Sequence, residues 1–184
     1  MSLDSIKRRT ASKLSEWVQK RIPYGADNMF LEGAFAPVQV ESTCTELRVT
    51  GSIPAALNGL LARNGSNPIR VTNPATYHWF SGDGMVHGLR LEGGKALWYR
   101  NRYVGADRAN RLLGRPLLPG TRNGVVDVVN TNIVGHAGRL WALVEAGASP
   151  IELDAELNSI RHGLFGANRP APFTAHPHRD PATG

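Results

Sequence analysis

Met85-Val-His-Gly-Leu-Arg-Leu91, then Gly93-Gly94, then Leu97-Trp-Tyr-Arg-Asn-Arg-Tyr-Val104 is the stretch from which the fold is read. Met85, His87, Leu89 and Leu91 alternate onto one face, the period of a β-strand. Two glycines turn the chain, and the run carrying Trp98, Tyr99 and Tyr103 returns as a second strand. The same pattern extends outward in both directions. Upstream, Leu47–Gly51 and Gly59–Arg63 read as short strands, with Asn64-Gly65 as a turn signal, and Tyr77–Phe80 is strand-like. Downstream, the residues from Asp107 to Gly124 form a looser Arg- and Gly-rich stretch. Val125–Thr131 and Leu140–Glu145 are then strands around a turn at Gly135–Gly138, and Pro150–Leu153 is one more. From Ala167 on, Pro170, Pro172, Pro177 and Pro181 exclude regular structure. Consecutive short antiparallel strands joined by glycine turns argue for an all-β sandwich, barrel or propeller.

Residues 2–22 differ from this pattern. Leu3, Ile6, Leu14, Trp17, Val18 and Ile22 recur mostly at helical spacing with basic residues between them, and Pro23 and Gly25 end the run. The chain divides accordingly into a basic amphipathic helix over 1–25 and a β-domain over 26–184. The stripe, interrupted at Thr10, either packs on the protein body or lies on an anionic membrane surface. In the second case Lys7, Arg8, Lys13, Trp17 and Lys20 make the contact.

Composition narrows the classes. The net charge of the 184 residues is +6, and residues 1–25 supply +4 of it. No basic stripe interleaved with aromatics runs through the body, which argues against nucleic-acid binding. Cys44 is the single cysteine, so an internal disulfide framework and a cysteine-rich metal site are excluded, and a reducing cytoplasm is the natural compartment. The basic N-terminus lacks the continuous apolar segment of a secretory signal, and no stretch approaches the ~20 apolar residues of a membrane span.

Six histidines are present: His78, His87, His136, His162, His176 and His178. Any one of them is more often structural than functional. His176 and His178 are spaced to share one face of an extended segment, with Pro177 favouring an edge or loop. HExxH, CxxC, G-x-S-x-G and phosphate-cradling glycine loops are all absent. Composition and spacing alone end at an all-β domain with a possible metal histidine.

Three stretches go further. They are Pro54-Ala-Ala-Leu-Asn-Gly-Leu-Leu-Ala-Arg-Asn-Gly-Ser-Asn-Pro68; Tyr77-His-Trp-Phe-Ser-Gly-Asp-Gly-Met-Val-His87 with Tyr99-Arg-Asn-Arg-Tyr103; and Asn130-Thr-Asn132 with His136-Ala-Gly-Arg-Leu-Trp-Ala-Leu-Val-Glu145, Thr174-Ala-His-Pro177 and Asp180-Pro-Ala-Thr-Gly184. In this order they resemble the carotenoid cleavage oxygenase family, which includes apocarotenoid and stilbene-cleaving dioxygenases. The resemblance implies a seven-bladed β-propeller of which this chain holds the N-terminal blades. It implies Fe(II) on the propeller axis, held by four histidines, with O2 as co-substrate. His176 matches the first of the four ligands. Glu145 matches an acidic residue that orients a later iron-ligating histidine by hydrogen bonding. The implied reaction is oxidative cleavage of a conjugated C=C bond in a carotenoid, apocarotenoid or stilbene, giving two carbonyl products. His87 and His136 fall in family motifs but are expected to serve packing, and Gly82-Asp83-Gly84 is expected to be a turn.

A seven-bladed propeller needs roughly 300 residues or more. The chain is therefore expected to be a fragment of a longer oxygenase, inactive, poorly stable and associating when isolated. The competing readings are a truncated non-catalytic chain, a membrane-surface binding module, and a non-enzymatic propeller scaffold.

Overall fold

The computed structural model describes residues 3–124, 127–145, 147–167 and 169–183, without the side chains of Leu3, Asp4, Ser5, Arg8, Arg9 and Ser12. Val125 and Val126, where a strand was expected to start, and the Arg8 side chain lie outside the described residues. The chain is mostly β, in two four-stranded antiparallel sheets.

The central hairpin is as read. Strands β3 (Gly84–Glu92) and β4 (Lys95–Tyr103) pair from Met85 opposite Tyr103 to Glu92 opposite Lys95, with a bulge at Arg90/Leu91. Gly93 and Gly94 take φ of +54° and +77°, which two consecutive residues with side chains would adopt only under strain. Strand β2 (Gly59–Ser66) pairs along the far side of β3, and the two-residue strand β1 (Thr43–Cys44) takes the free edge of β4, giving the order β1-β4-β3-β2.

Three sequence expectations fail here for identifiable reasons. Asn64-Gly65 does not turn: Asn64 pairs with Val86 and Gly65 with Met85, because the apolar run upstream continues along β3. Leu47–Gly51 forms no strand, since Thr43 and Cys44 already occupy the β4 edge opposite Arg100 and Tyr99. Tyr77–Phe80 is not extended throughout. Pro74–Thr76 and Trp79–Ser81 are 3-10 turns. Asn73 caps the first turn, and the His78 ring with the Ser81 hydroxyl closes a capping box on the second.

The second sheet is a meander of β5 (Asn132–His136), β6 (Arg139–Leu143), β7 (Ile151–Leu153) and β8 (Ser159–His162). Ala137 and Gly138 make the first turn with φ of +50° and +72°. Of the strand expected over 125–131, the described residues 127–131 are not strand, and β5 starts at Asn132; β8 was not anticipated, because Ser-Ile-Arg-His carries a single strongly apolar residue.

The core lies between the sheets. Val86 and Val104 from the first meet Ala142, Val144, Ile151 and Leu153 from the second, with Val129 and Leu157 from the connections. Gly88 faces this core, where a methyl group would come within 2.7 Å of Leu157 Cδ1. The opposite face of the first sheet carries Leu61, His87, Leu89 and Tyr99. With Phe35 and Trp79 these residues line a cavity of about 470 Å³.

The Asp107–Gly124 stretch holds a short helix, α2 (Asp107–Leu112), that the sequence reading left as loop. The residue that precedes it, Ala106, offers no side-chain cap, and the Asp127 carboxylate accepts the Arg108 backbone N–H from outside (3.2 Å). Asp107 is buried beneath the Arg122 fork, at 2.7 Å to both carboxylate oxygens, with His162 Nε2 at 3.4 Å. Burial alone would raise this carboxyl, but His162 and Arg122 outweigh it and hold Asp107 well below the usual carboxylate range.

The N-terminal helix, α1 (Leu3–Gln19), keeps the large apolar side chains described for it out of the core. Ile6, Leu14, Trp17 and Val18 are all exposed, so the described residues do not bury the stripe. The Arg21 guanidinium covers the Trp17 ring at 3.4 Å. Among the described residues no helix is long and apolar enough to cross a membrane.

Candidate metal centre

Glu145 follows β6 by two residues, past the buried Val144. His176 lies in a stretch without helix or strand, Thr174-Ala-His-Pro177, as its prolines led one to expect. The two meet: Glu145 Oε1 is 2.8 Å from His176 Nδ1. The same oxygen accepts the Ala175 backbone N–H at 3.3 Å, and the His176 N–H donates to Thr174 Oγ1 at 3.2 Å. Both side chains remain largely exposed, at 70% and 58%. A carboxylate at Nδ1 places the ring proton there and leaves the Nε2 lone pair available, the tautomer a metal-ligating histidine needs.

The other histidines are accounted for differently. His78 caps a turn, and His87 Nδ1 meets the Tyr99 hydroxyl at 2.7 Å on a half-buried sheet face. Burial, with Arg63 nearby, pushes the His87 ring below its ordinary pKa. His136 packs edge-on to Phe165, and His162 is buried against Asp107. His178 is exposed in the same loop as His176, where strand alternation does not apply. Asp180 closes its own turn by accepting the Ala182 and Thr183 N–H groups (2.7 and 3.1 Å). Asp83 is no surface turn residue either. It is buried, with Oδ1 paired to Arg108 and Oδ2 accepting the Ile69 N–H at 2.9 Å.

What the sequence reading missed is the set of groups that hold the loop. Asn132 Nδ2 donates to the Ala175 carbonyl at 2.8 Å, and Ala175 is fully buried. Asn130 Nδ2 ties down the Phe80 and Gly82 carbonyls at 3.0 and 2.8 Å. The signal was present in Asn130-Thr-Asn132, quoted for resemblance but given no role. Glu145 was expected to orient a later histidine; among the described residues its carboxylate lies against His176. Among the described residues no group of three or more His, Cys, Asp or Glu side chains could hold a metal ion, so they offer at most part of a centre.

Residues 35–184 match the family described as Retinal pigment epithelial membrane protein, RPE65. The chain belongs to this family. Within it, the chain is 49% identical over 162 residues to a carotenoid cleavage oxygenase of Mycobacterium tuberculosis, a match that covers 86% of this chain and 32% of the relative. It is 34% identical to the carotenoid 9,10(9',10')-cleavage dioxygenase of Crocus sativus, covering 84% of this chain and 34% of the relative. The crystal structure of Pseudomonas brassicacearum lignostilbene dioxygenase superposes with a TM-score of 0.68 at 33% identity, over 89% of this chain and 36% of that one. The chain thus spans about a third of the length of these RPE65-family relatives.

Proposed function

We propose that this chain is the N-terminal part of a non-haem Fe(II) dioxygenase that cleaves a conjugated C=C bond of a carotenoid, apocarotenoid or stilbene. The observation that carries the reading is the Glu145–His176 pair: an imidazole oriented through Nδ1, with Nε2 open, in a family whose members are named for such cleavages. The two sheets are the first blades of a seven-bladed propeller over 26–184, following a helical segment over 1–25. Three further histidines come from the remaining two-thirds of the protein.

His176 would hold the iron through Nε2, and Glu145 would fix the orientation and tautomer of the ring. Iron, when bound, supplies the redox chemistry that brings O2 to the substrate. The overall reaction balances without an external reductant: one C=C bond and one O=O bond break, and each alkene carbon leaves as a carbonyl. By itself the 184-residue chain is inactive, since one imidazole cannot retain Fe(II).

The test is the iron content and activity of the protein at its native length. A polypeptide about three times the present 19.9 kDa, holding one iron per chain and cleaving a stilbene or apocarotenoid under O2, supports the proposal. A native product near 20 kDa, or cleavage that persists after iron is removed, overturns it.

We further propose that the protein is cytoplasmic and touches membrane surfaces through the segment over 1–25, where the exposed Leu14, Trp17 and Val18 of α1 accompany Lys7, Lys13 and Lys20. An apolar substrate dissolved in lipid gives such attachment a purpose. Neutralising Lys7, Lys13 and Lys20 together should weaken sedimentation with anionic vesicles at least tenfold, at about 1 kcal/mol per charge. Unchanged binding would remove the membrane role.

A further inference from the structure

A stretch with four prolines and no regular structure has little of its own to hold an imidazole in place, and catalytic groups must be held to about 0.5 Å. Yet Ala175, next to His176, is fully buried, and both of its backbone polar groups are engaged. Its N–H donates to Glu145 Oε1 and its carbonyl accepts from Asn132 Nδ2 at 2.8 Å. Asn132 is the first residue of β5 and pairs with Leu143, the last of β6, two positions before Glu145. The open end of one hairpin therefore grips the loop from two sides.

The Asn132 amide has its own orientation fixed. Its Oδ1 accepts the Ile133 N–H at 2.8 Å, which directs Nδ2 toward Ala175. Its backbone carbonyl is held in turn by Asn64 Nδ2 at 3.2 Å, and the same nitrogen reaches the Val129 carbonyl at 3.1 Å. Asn64 belongs to β2 of the first sheet, so the line of amides runs from one sheet through the other to the loop. Asn64 Oδ1 is buried without a hydrogen-bond partner among the described residues. An unsatisfied polar atom of this kind costs stability.

We infer that Asn132, backed by Asn64, is a positioning residue for His176: its amide clamps the Ala175 carbonyl and thereby sets where Nε2 points. The inference rests on the reading of His176 as a metal ligand. Asn132→Asp tests it in the whole, metal-loaded protein. The aspartate is isosteric and keeps the acceptor for the Ile133 N–H, but turns a carboxylate oxygen instead of a donor toward Ala175.

The expected result is a metal Kd, measured against a competing chelator, raised about tenfold. Amide exchange should quicken at 174–178 while protection across β5 and β6 stays unchanged. If the aspartate variant fails to fold, Asn132→Ser, which loses the reach without adding charge, gives the same comparison. Wild-type affinity with unchanged exchange at 174–178 overturns the inference, as does exchange that rises equally across the whole second sheet. His176→Ala, run in parallel, separates the two ideas. If it keeps the metal, the ligand reading fails. If it loses the metal while Asn132→Asp retains wild-type affinity, only the positioning role fails.

Discussion

Replacing His176 by alanine is expected to lower the metal affinity of the whole protein by at least about 100-fold, and cleavage activity with it. Removing a partner that only orients a ligand already costs 10–100-fold in many sites, so removing the ligand itself sets a floor at the top of that range. The side chain is 70% exposed and hydrogen-bonds to a Glu145 carboxylate that is itself 58% exposed, so its loss should change stability by no more than about 0.5 kcal/mol. Iron loss in a protein that melts as before would therefore report ligation and not unfolding. Glu145→Gln provides the graded comparison. The amide oxygen still accepts from Nδ1–H but as a neutral, weaker acceptor, and about a tenfold loss of affinity is expected. Full iron occupancy in His176→Ala would move the metal centre elsewhere. Equal effects from the two variants would mean that Glu145 acts as more than an orienting group.

The parts of the fold that were legible are those where side-chain pattern and turn chemistry agree. The β3–β4 hairpin was read correctly because alternation flanks two glycines that alone suit positive φ at Gly93 and Gly94. Asn64-Gly65 has the same local chemistry but continues as strand, since tertiary pairing with Val86 and Met85 overrides the turn signal. Helix α2 was hidden for a similar reason. Its N-terminal cap, Asp127, arrives from nineteen residues beyond Arg108, and no local window contains it. His176 and Glu145 were both singled out, but their pairing was not, because 31 residues, β7 and β8 among them, separate the two and the loop that carries His176 has no periodicity. The stripe on α1 was legible as a pattern but not as a packing partner. Amphipathicity fixes which face is apolar, not what covers it.

Arg108→Met is expected to destabilise the fold by about 3 kcal/mol, the lower end of the range for leaving one member of a buried ion pair alone. Asp83 is 1% exposed whereas the Arg108 side chain is 41% exposed, so the two partners are not equivalent. With Arg108 gone, the buried Asp83 carboxylate keeps, among the described residues, the Ile69 N–H alone. Its neighbour shows why the loop cannot swing outward: a methyl group on Gly84 would land 1.8 Å from the Val129 carbonyl oxygen, so the backbones already touch there. Asp83→Asn should cost much less, about 1 kcal/mol. The amide oxygen can still accept from Ile69, and the guanidinium left behind is hydrated. The double variant should resemble Asp83→Asn alone, because the cost of Arg108→Met lies in the stranded charge and not in the lost contact. Urea unfolding of the four proteins at neutral pH measures this cycle. If Arg108→Met and Asp83→Asn cost the same and add, the pair is an ordinary surface bridge. The Gly82-Asp83-Gly84 element would then owe its place to packing against Val129 and to the Asn130 amide on the Phe80 and Gly82 carbonyls.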